Sequence, residues 1–209
     1  MSIINDKSEL IFIHVPKVAG SSMERLPWVG GAGHKTAQEL RKVAGEKWLK
    51  YLSFGFVRHP LDRLLSAYCH FVEKPEKLDE PTRQREVYRT IKHHAATYSD
   101  NPVAGFVRFV LSPELRDYIK TVNHFLPQSH FLCDSRGLVM VNFVGKYEAL
   151  EADWRYVCQI LDQPTEPLQH KNAGSPREPW QKWYTPEAAE AACRYYAADF
   201  KVFTYEAKL

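Results

Sequence analysis

The sequence predicts an α/β fold, and three observations carry that prediction. Residues 10–15 form a near-continuous apolar run, as expected of a strand covered on both faces, and a tight loop and a helix start follow at once. Residues 50–57 (KYLSFGFV) repeat the pattern, reading as a second strand that passes through Arg58, His59 and Pro60 into an amphipathic helix. Between residues 73 and 122 strand signals are absent and helical ones take over, so this block reads as a helical insertion. With 209 residues, 44% of them hydrophobic and 13% aromatic, the chain suits one domain with a core of its own.

The first strand leads into VPKVAGSSMERL. A strand–loop–helix turn is an arrangement in which backbone N–H groups converge on an anion. Lys17 adds a positive charge, and Ser21 and Ser22 add hydroxyls at the first helical turn. Lys17 precedes Gly20 and no glycine opens the loop, unlike the G-x-x-x-x-G-K-[ST] order, so a serine-held metal is not supported. Taken alone, the stretch fits an anion-binding loop and an ordinary turn with a surface lysine equally well. Pro16 gives the strand a rigid exit and Pro27 stops the helix. Gly30, Gly31 and Gly33 then form a flexible loop that ends at His34. Thr36 and Glu39 make a capping box, which predicts a helix over 37–43 closed by Gly45. His34 thus stands on a loop just ahead of a helix, where a histidine is a candidate for function.

Pro60 suits the first position of the next helix. Leu61, Leu64, Leu65, Tyr68 and Cys69 share one face, and Asp62, Ser66 and His70 share another. Arg58 and Ser66 can therefore approach the same side of the carboxyl edge of the sheet, where open α/β sheets bind ligands. They form a second candidate anion site; the plainer alternative is an Arg58–Asp62 ion pair with Ser66 merely packed. Residues 73–85 read as a charged surface loop, and helices are expected over 85–98, 102–111 and 113–120. The adjacent His93 and His94 do not share a helix face and are not read as metal ligands. After a loop over 123–128, strands are expected over 130–133 and 138–144, split by a turn at 134–137 and ended by Gly145. A helix follows over 148–161. The proline-rich stretch 164–179, holding Lys171, Asn172 and Ser175, reads as a binding loop or lid. A last helix over 186–198 and an aromatic tail close the chain.

A net charge of +3 makes no case for a broad nucleic-acid surface, though it allows a local anion pocket. Cys69, Cys133, Cys158 and Cys193 form no C-x-x-C pair and sit among apolar neighbours, so they read as buried free thiols. No basic start leads into a long apolar run and no stretch approaches a membrane span, so a soluble, cytoplasmic protein without stable membrane insertion is expected.

With these pieces in place the chain resembles the sulfotransferases that use 3′-phosphoadenosine-5′-phosphosulfate, closest to the carbohydrate, membrane-type branch and its soluble bacterial relatives. Pro16, Lys17, Gly20, Ser21 and Ser22 match the family's P-K-x-x-G-[ST]-[ST] motif. Val57, Arg58, His59, Pro60, Asp62, Arg63, Ser66 and Tyr68 match V-R-[NDH]-P-x-[DE]-R-x-x-S-x-[YF]. Pro127-Gln128, GKYEAL, HKNAGSPREPW and DFKVFTY resemble later stretches of the family. Val18 and Ala19 depart from it, standing where many members carry Thr-Gly or Thr-Ala, so their contribution to the donor would come from backbone N–H groups. The resemblance implies a P-loop nucleotide-kinase-like three-layer fold with a central, mainly parallel sheet in a single domain over residues 1–209, with the block near 73–122 as acceptor-binding wall. It implies that Lys17, Val18, Ala19, Gly20, Ser21 and Ser22 hold the 5′-phosphosulfate and that Arg58 and Ser66 hold the 3′-phosphate. Lys171, Asn172 and Ser175 would close over the donor, His34 would serve as catalytic base beside Lys17, the acceptor would be a saccharide, and no metal is expected. A P-loop kinase or nucleotide hydrolase, and an inactive nucleotide-binding module of the same fold, are the competing readings.

Overall fold

The computed structural model describes residues 4–30, 33–73, 82–168 and 178–207, leaving out the side chains of Ser21 and of residues 82–85. In chain order the elements are β1 (Ile4–Asn5), β2 (Leu10–Ile13), α1 (Gly20–Met23), α2 (Ala37–Ala44), α3 (Lys47–Lys50), β3 (Leu52–Val57) and α4 (Pro60–Glu73). Next come α5 (Thr82–Thr97), α6 (Pro102–Leu111), α7 (Pro113–Thr121), α8 (Gln128–Leu132), β4 (Phe143–Lys146) and α9 (Leu150–Ile160). The chain closes with α10 (Pro186–Tyr195) and α11 (Ala197–Val202). This is a mixed α/β protein forming two compact units. The first comprises Met1–His59, Pro127–Asn172 and Lys201–Thr204; the second comprises Pro60–Leu126, Ala173–Phe200 and Tyr205–Leu209.

The first unit carries a sheet of order β1-β2-β3-β4, in which β1 runs antiparallel to β2 and the other pairings are parallel. Leu10, Ile11, Phe12 and Ile13 are wholly buried, as an apolar strand flanked on both faces should be. Strand β2 ends at Ile13 because the Val15 N–H turns back onto the Ile13 carbonyl, 3.1 Å away, just ahead of Pro16. The capping box forms as expected: Thr36 accepts from the Glu39 N–H and the Glu39 carboxylate from the Thr36 N–H, starting α2, which Gly45 closes.

Three sequence expectations fail in this unit, and the first is the strand over 138–144, of which only the last two residues fall in β4. Residues 130–133 are no strand: they fall largely within α8, and Cys133 forms only an isolated antiparallel bridge to Val139. A short helix wins there because it lets the Gln128 side chain turn inward, fully buried, onto the backbone of Arg58. Gly145 does not end a strand but lies inside β4, opposite Phe56. A Cβ at Gly145 would collide with the Phe56 ring, so glycine is what lets the two strands pair over that ring. Before β4, Asn142 accepts from the Ser53 N–H and hydroxyl at 2.9 and 2.7 Å, which sets the strand register.

The second unit is helical. Tyr68 and Phe71 of α4, Tyr88 of α5, Phe106 and Phe109 of α6, Tyr118 of α7, Phe125 and Tyr196 all join one buried cluster. Arg63 is 1% exposed; its guanidinium donates to the carbonyls of Leu126 and His124 and lies 5.7 Å from the Tyr196 ring. Two backbone carbonyls thus offset part of the cost of burying this charge in the core of its unit. The Tyr184 and Tyr196 hydroxyls donate to the carbonyls of Leu61 and Phe125, both at 2.8 Å. Pro102, Pro113 and Pro186 each open a helix behind a capping Asn101, Ser112 or Thr185. All four cysteines are outside disulfides; Cys69, Cys133 and Cys158 are buried as expected, whereas Cys193 is half-buried.

Candidate functional site

Parallel strands align their carboxyl ends. Ile13 pairs with Gly55 and Val57 with Lys146, so the exits of β2, β3 and β4 leave one edge of the first unit's sheet. The loop to α1, Arg58 with His59, and Tyr147 with Glu148 all start from that edge, where ligands of open α/β sheets bind.

In the loop, Lys17 and Ala19 adopt left-handed backbone conformations, φ 71° and 69°. Such torsions cost a non-glycine residue on the order of 1–3 kcal/mol and persist only where the surroundings impose them. Val18 between them is fully buried and pins the loop to the core. Alternation of left-handed and ordinary residues turns successive N–H groups toward a common concavity. The loop closes on α1 through the Ser22 N–H to the Ala19 carbonyl at 2.9 Å. Lys17 and Ser22 are half-buried. The chain beyond α1 is tied back by Asn5, whose side-chain amide donates to the carbonyls of Trp28 and Val29 at 3.1 and 3.3 Å.

Gly20 shows why this loop needs its glycine. The His14 ring occupies the space where a Cβ at Gly20 would stand. His14 Nδ1 lies 2.6 Å from Glu24 Oε1, with 7% and 15% of the two side chains exposed. The His34 ring packs on the other side, its centroid 4.5 Å from that of His14. His34 Nδ1 is 3.1 Å from the His14 carbonyl oxygen. A carbonyl only accepts, so Nδ1 carries the proton and neutral His34 holds its lone pair on Nε2. Burial, and next the neighbouring His14 charge, hold the His34 imidazole below the ordinary histidine range, against smaller opposing effects of the His14 carbonyl and Glu24. The lowered proton affinity favours neutral His34, and its ring packs on the His14 that abuts Gly20 of the loop, both of which suit a general base.

Arg58 is fixed by neighbours on its own unit. Its N–H donates to Gln128 Oε1 at 2.9 Å and its carbonyl accepts from Gln128 Nε2 at 2.8 Å. Its guanidinium lies 4.2 Å from the centre of the Tyr147 ring. The His59 N–H donates to Glu148 Oε1 at 2.6 Å. Ser66 lies on α4 in the second unit, half-buried. Lys171, Asn172 and Ser175, together with Gly31, lie outside the described residues. Sequence reasoning missed His14 and Glu24 and gave Gln128 and Tyr147 no role, since only loop closure and strand pairing bring these side chains to the site. Among the described residues no group of three or more His, Cys, Asp or Glu is arranged to hold a metal ion.

A two-anchor edge of this kind suits the binding of an anionic ligand, and comparison with known proteins places the chain in a family. The family described as the sulfotransferase family matches residues 1–206, and this chain belongs to it. Human carbohydrate sulfotransferase 14 is 28% identical over 212 residues, covering 90% of this chain and 52% of the relative. Mouse carbohydrate sulfotransferase 11 is 28% identical over 184 residues, covering 76% and 52%. Human carbohydrate sulfotransferase 9 is 25% identical over 194 residues, covering 78% and 41%. The chain thus spans about half the length of the curated relatives it matches. No solved structure matches it.

The cytoplasmic location expected from the sequence does not stand against the chain's likeness to relatives named carbohydrate sulfotransferases. That expectation rested on the lack of a leader-like start and of a membrane-length apolar run, and the free thiols add nothing to it, because burial in apolar packing accounts for three of the four whatever the compartment. Among the described residues no helix is long and apolar enough to cross a membrane.

Proposed function

We propose that this protein moves a sulfuryl group from 3′-phosphoadenosine-5′-phosphosulfate to an acceptor hydroxyl, with a saccharide as the acceptor class. The observation that carries the reading is the strained Lys17–Ala19 loop and the His34 ring brought to one sheet edge through His14, which packs on both Gly20 and His34. Membership of the sulfotransferase family supports it, as do relatives named carbohydrate sulfotransferases. In this reading the chain forms one domain of P-loop nucleotide-kinase-like architecture. The parallel β2-β3-β4 arrangement and the carboxyl-edge position of the loop support that choice.

Each residue has a distinct task. The loop's backbone N–H groups, Gly20, Ser21, Ser22 and Lys17 hold the 5′-phosphosulfate; Val18 and Ala19 contribute backbone alone. Arg58, steadied by Gln128 and Tyr147, reads the 3′-phosphate. Lys171, Asn172 and Ser175 supply further donor contacts. The donor supplies the transferable sulfuryl group and a phosphate leaving group. His34 takes the acceptor's hydroxyl proton at Nε2 as the acceptor oxygen bonds to sulfur and the sulfur–oxygen bond to the 5′-phosphate breaks. Lys17 meets the charge that gathers on the departing phosphate oxygen, the point at which a preorganised cation contributes most. No metal enters this scheme, in which Lys17 and loop N–H groups meet the charge.

Calorimetry with 3′-phosphoadenosine-5′-phosphate against ATP with magnesium tests the reading. The bisphosphate should bind preferentially, and Arg58→Ala should weaken it far more than ADP. A preference for magnesium ATP would point instead to a kinase or nucleotide hydrolase. Bisphosphate binding with no turnover on any polysaccharide acceptor would point to an inactive module.

A further inference from the structure

His14 and Glu24 have no task in that scheme, yet they sit at its centre. Three contacts converge on His14. Its Nδ1 is held by the Glu24 carboxylate at 2.6 Å, and since a carboxylate only accepts, that nitrogen carries a proton. Its ring edge, Cδ2 and Nε2, fills the space beside Gly20. Its ring faces His34 at 4.5 Å while its own carbonyl receives the His34 Nδ1–H. One residue therefore touches the first helical residue of the donor loop, the helix behind it and the imidazole proposed as base.

A merely space-filling role would not call for these side chains. Both are largely buried, and burying a carboxylate and an imidazole costs free energy that an apolar ring of similar outline would not incur. A fixed, hydrogen-bonded ring does provide a rigid spacer of set orientation. We propose that His14, oriented by Glu24, is a positioning residue that locks the base His34 against the donor loop and holds it in the Nδ1-protonated tautomer. The proposal rests on the reading in which His34 accepts the acceptor's proton. Gly20 gains a second meaning from it: the glycine admits the spacer as well as letting the loop approach an anion.

Burial weighs most on the His34 titration; next, the His14 charge lowers its proton affinity, while the His14 carbonyl and the Glu24 charge raise it. Replacing His14 by a neutral residue that still satisfies Glu24 removes the lowering charge and leaves the raising one, so the His34 titration moves upward. His14→Asn is that variant, because its amide nitrogen stands close to where Nδ1 stood.

Two readouts on the full chain test this. Nitrogen-15 NMR of the histidine rings follows the tautomer and titration of His34 without any acceptor. Release of 3′-phosphoadenosine-5′-phosphate in the presence of desulfated polysaccharides follows turnover. His14→Asn should move the His34 titration upward, since the lowering effect of the His14 charge is lost, while the main-chain carbonyl of residue 14 still accepts the Nδ1 proton. Turnover should fall by about tenfold or more, since loss of alignment alone can cost up to about 100-fold, while bisphosphate affinity stays within about threefold. An unmoved titration, or wild-type turnover, would overturn the proposal; so would a loss confined to bisphosphate affinity. Should His14→Asn fail to fold, Glu24→Gln keeps an acceptor for the His14 N–H and must lower turnover severalfold at unchanged bisphosphate affinity; wild-type turnover there overturns it too. His34→Ala separates the two ideas. Full turnover in His34→Ala sinks the base assignment itself, whereas an inactive His34→Ala beside a normal His14→Asn sinks only the positioning role.

Discussion

Replacing Gln128 by leucine probes how firmly Arg58 is held. Gln128 is wholly buried and makes two hydrogen bonds to the Arg58 backbone, 2.9 Å from the N–H and 2.8 Å to the carbonyl. Leucine fills similar volume but satisfies neither group. Each net hydrogen bond contributes about 0.5–1.5 kcal/mol, and a stranded buried polar group costs about 1–3 kcal/mol. The Arg58 backbone is only partly buried, so the two losses together come to about 2–4 kcal/mol. For a chain of this size that corresponds to a fall of about 4–16 °C in Tm. Gln128→Glu keeps the acceptor oxygen but turns a buried carboxylate oxygen onto the Arg58 carbonyl, so it should cost at least as much as leucine. Urea unfolding of the three proteins gives the stabilities, and calorimetry with 3′-phosphoadenosine-5′-phosphate gives the effect on the Arg58 anchor. Both variants should be less stable than wild type and bind the bisphosphate more weakly. If the leucine variant lies within about 0.5 kcal/mol of wild type and binds normally, the Gln128 clamp is not what places Arg58.

Gly145→Ala should destabilise by about 1–3 kcal/mol through overpacking against Phe56, and adding Phe56→Leu should recover part of the loss; a neutral single variant in thermal unfolding would refute the close approach. Tyr196→Phe removes a hydroxyl bonded to the Phe125 carbonyl inside the second unit's core and should cost about 1–3 kcal/mol in urea unfolding; no change in midpoint would refute that contact. Because burial first, and His14 next, depress the His34 titration, the unfolded chain binds this proton before the folded one does. The stability that neutral His34 provides is complete above about pH 6.5 and declines as pH falls from there through the lower folded value. Wild type should therefore lose more stability than His34→Gln between pH 7.5 and 5.5, and equal losses would contradict the assignment.

Much of this fold is legible because its signals are local. Thr36 and Glu39 announce a capping box from three residues apart, and Pro60, Pro102, Pro113 and Pro186 each mark a first helical turn that forms where expected. Where a distant partner decides, local reading fails. Residues 130–133 look like a strand by composition, but the demand of the Arg58 backbone for Gln128, seventy positions away, favours a helix. Gly145 looks like a breaker until Phe56, on a strand far earlier in the chain, fills its missing side chain. The lysine loop, Arg58 and His34 could be singled out because their residue types and order carry chemistry. His14 could not, since nothing in IFIHVPK reveals that its ring meets Glu24, Gly20 and His34 only after the loop has closed.

The thiols offer a built-in clock for how this protein comes apart. Cys193, half-buried on α10, is the sulfur a maleimide dye should reach first in the native chain, while Cys69, Cys133 and Cys158 wait for the protein to open. Cys133 and Cys158 belong to the sheet-bearing unit and Cys69 to the helical one. Mapping which of these sulfurs gains a label first, peptide by peptide in rising urea, would show which half of the chain yields before the other, with no mutation introduced.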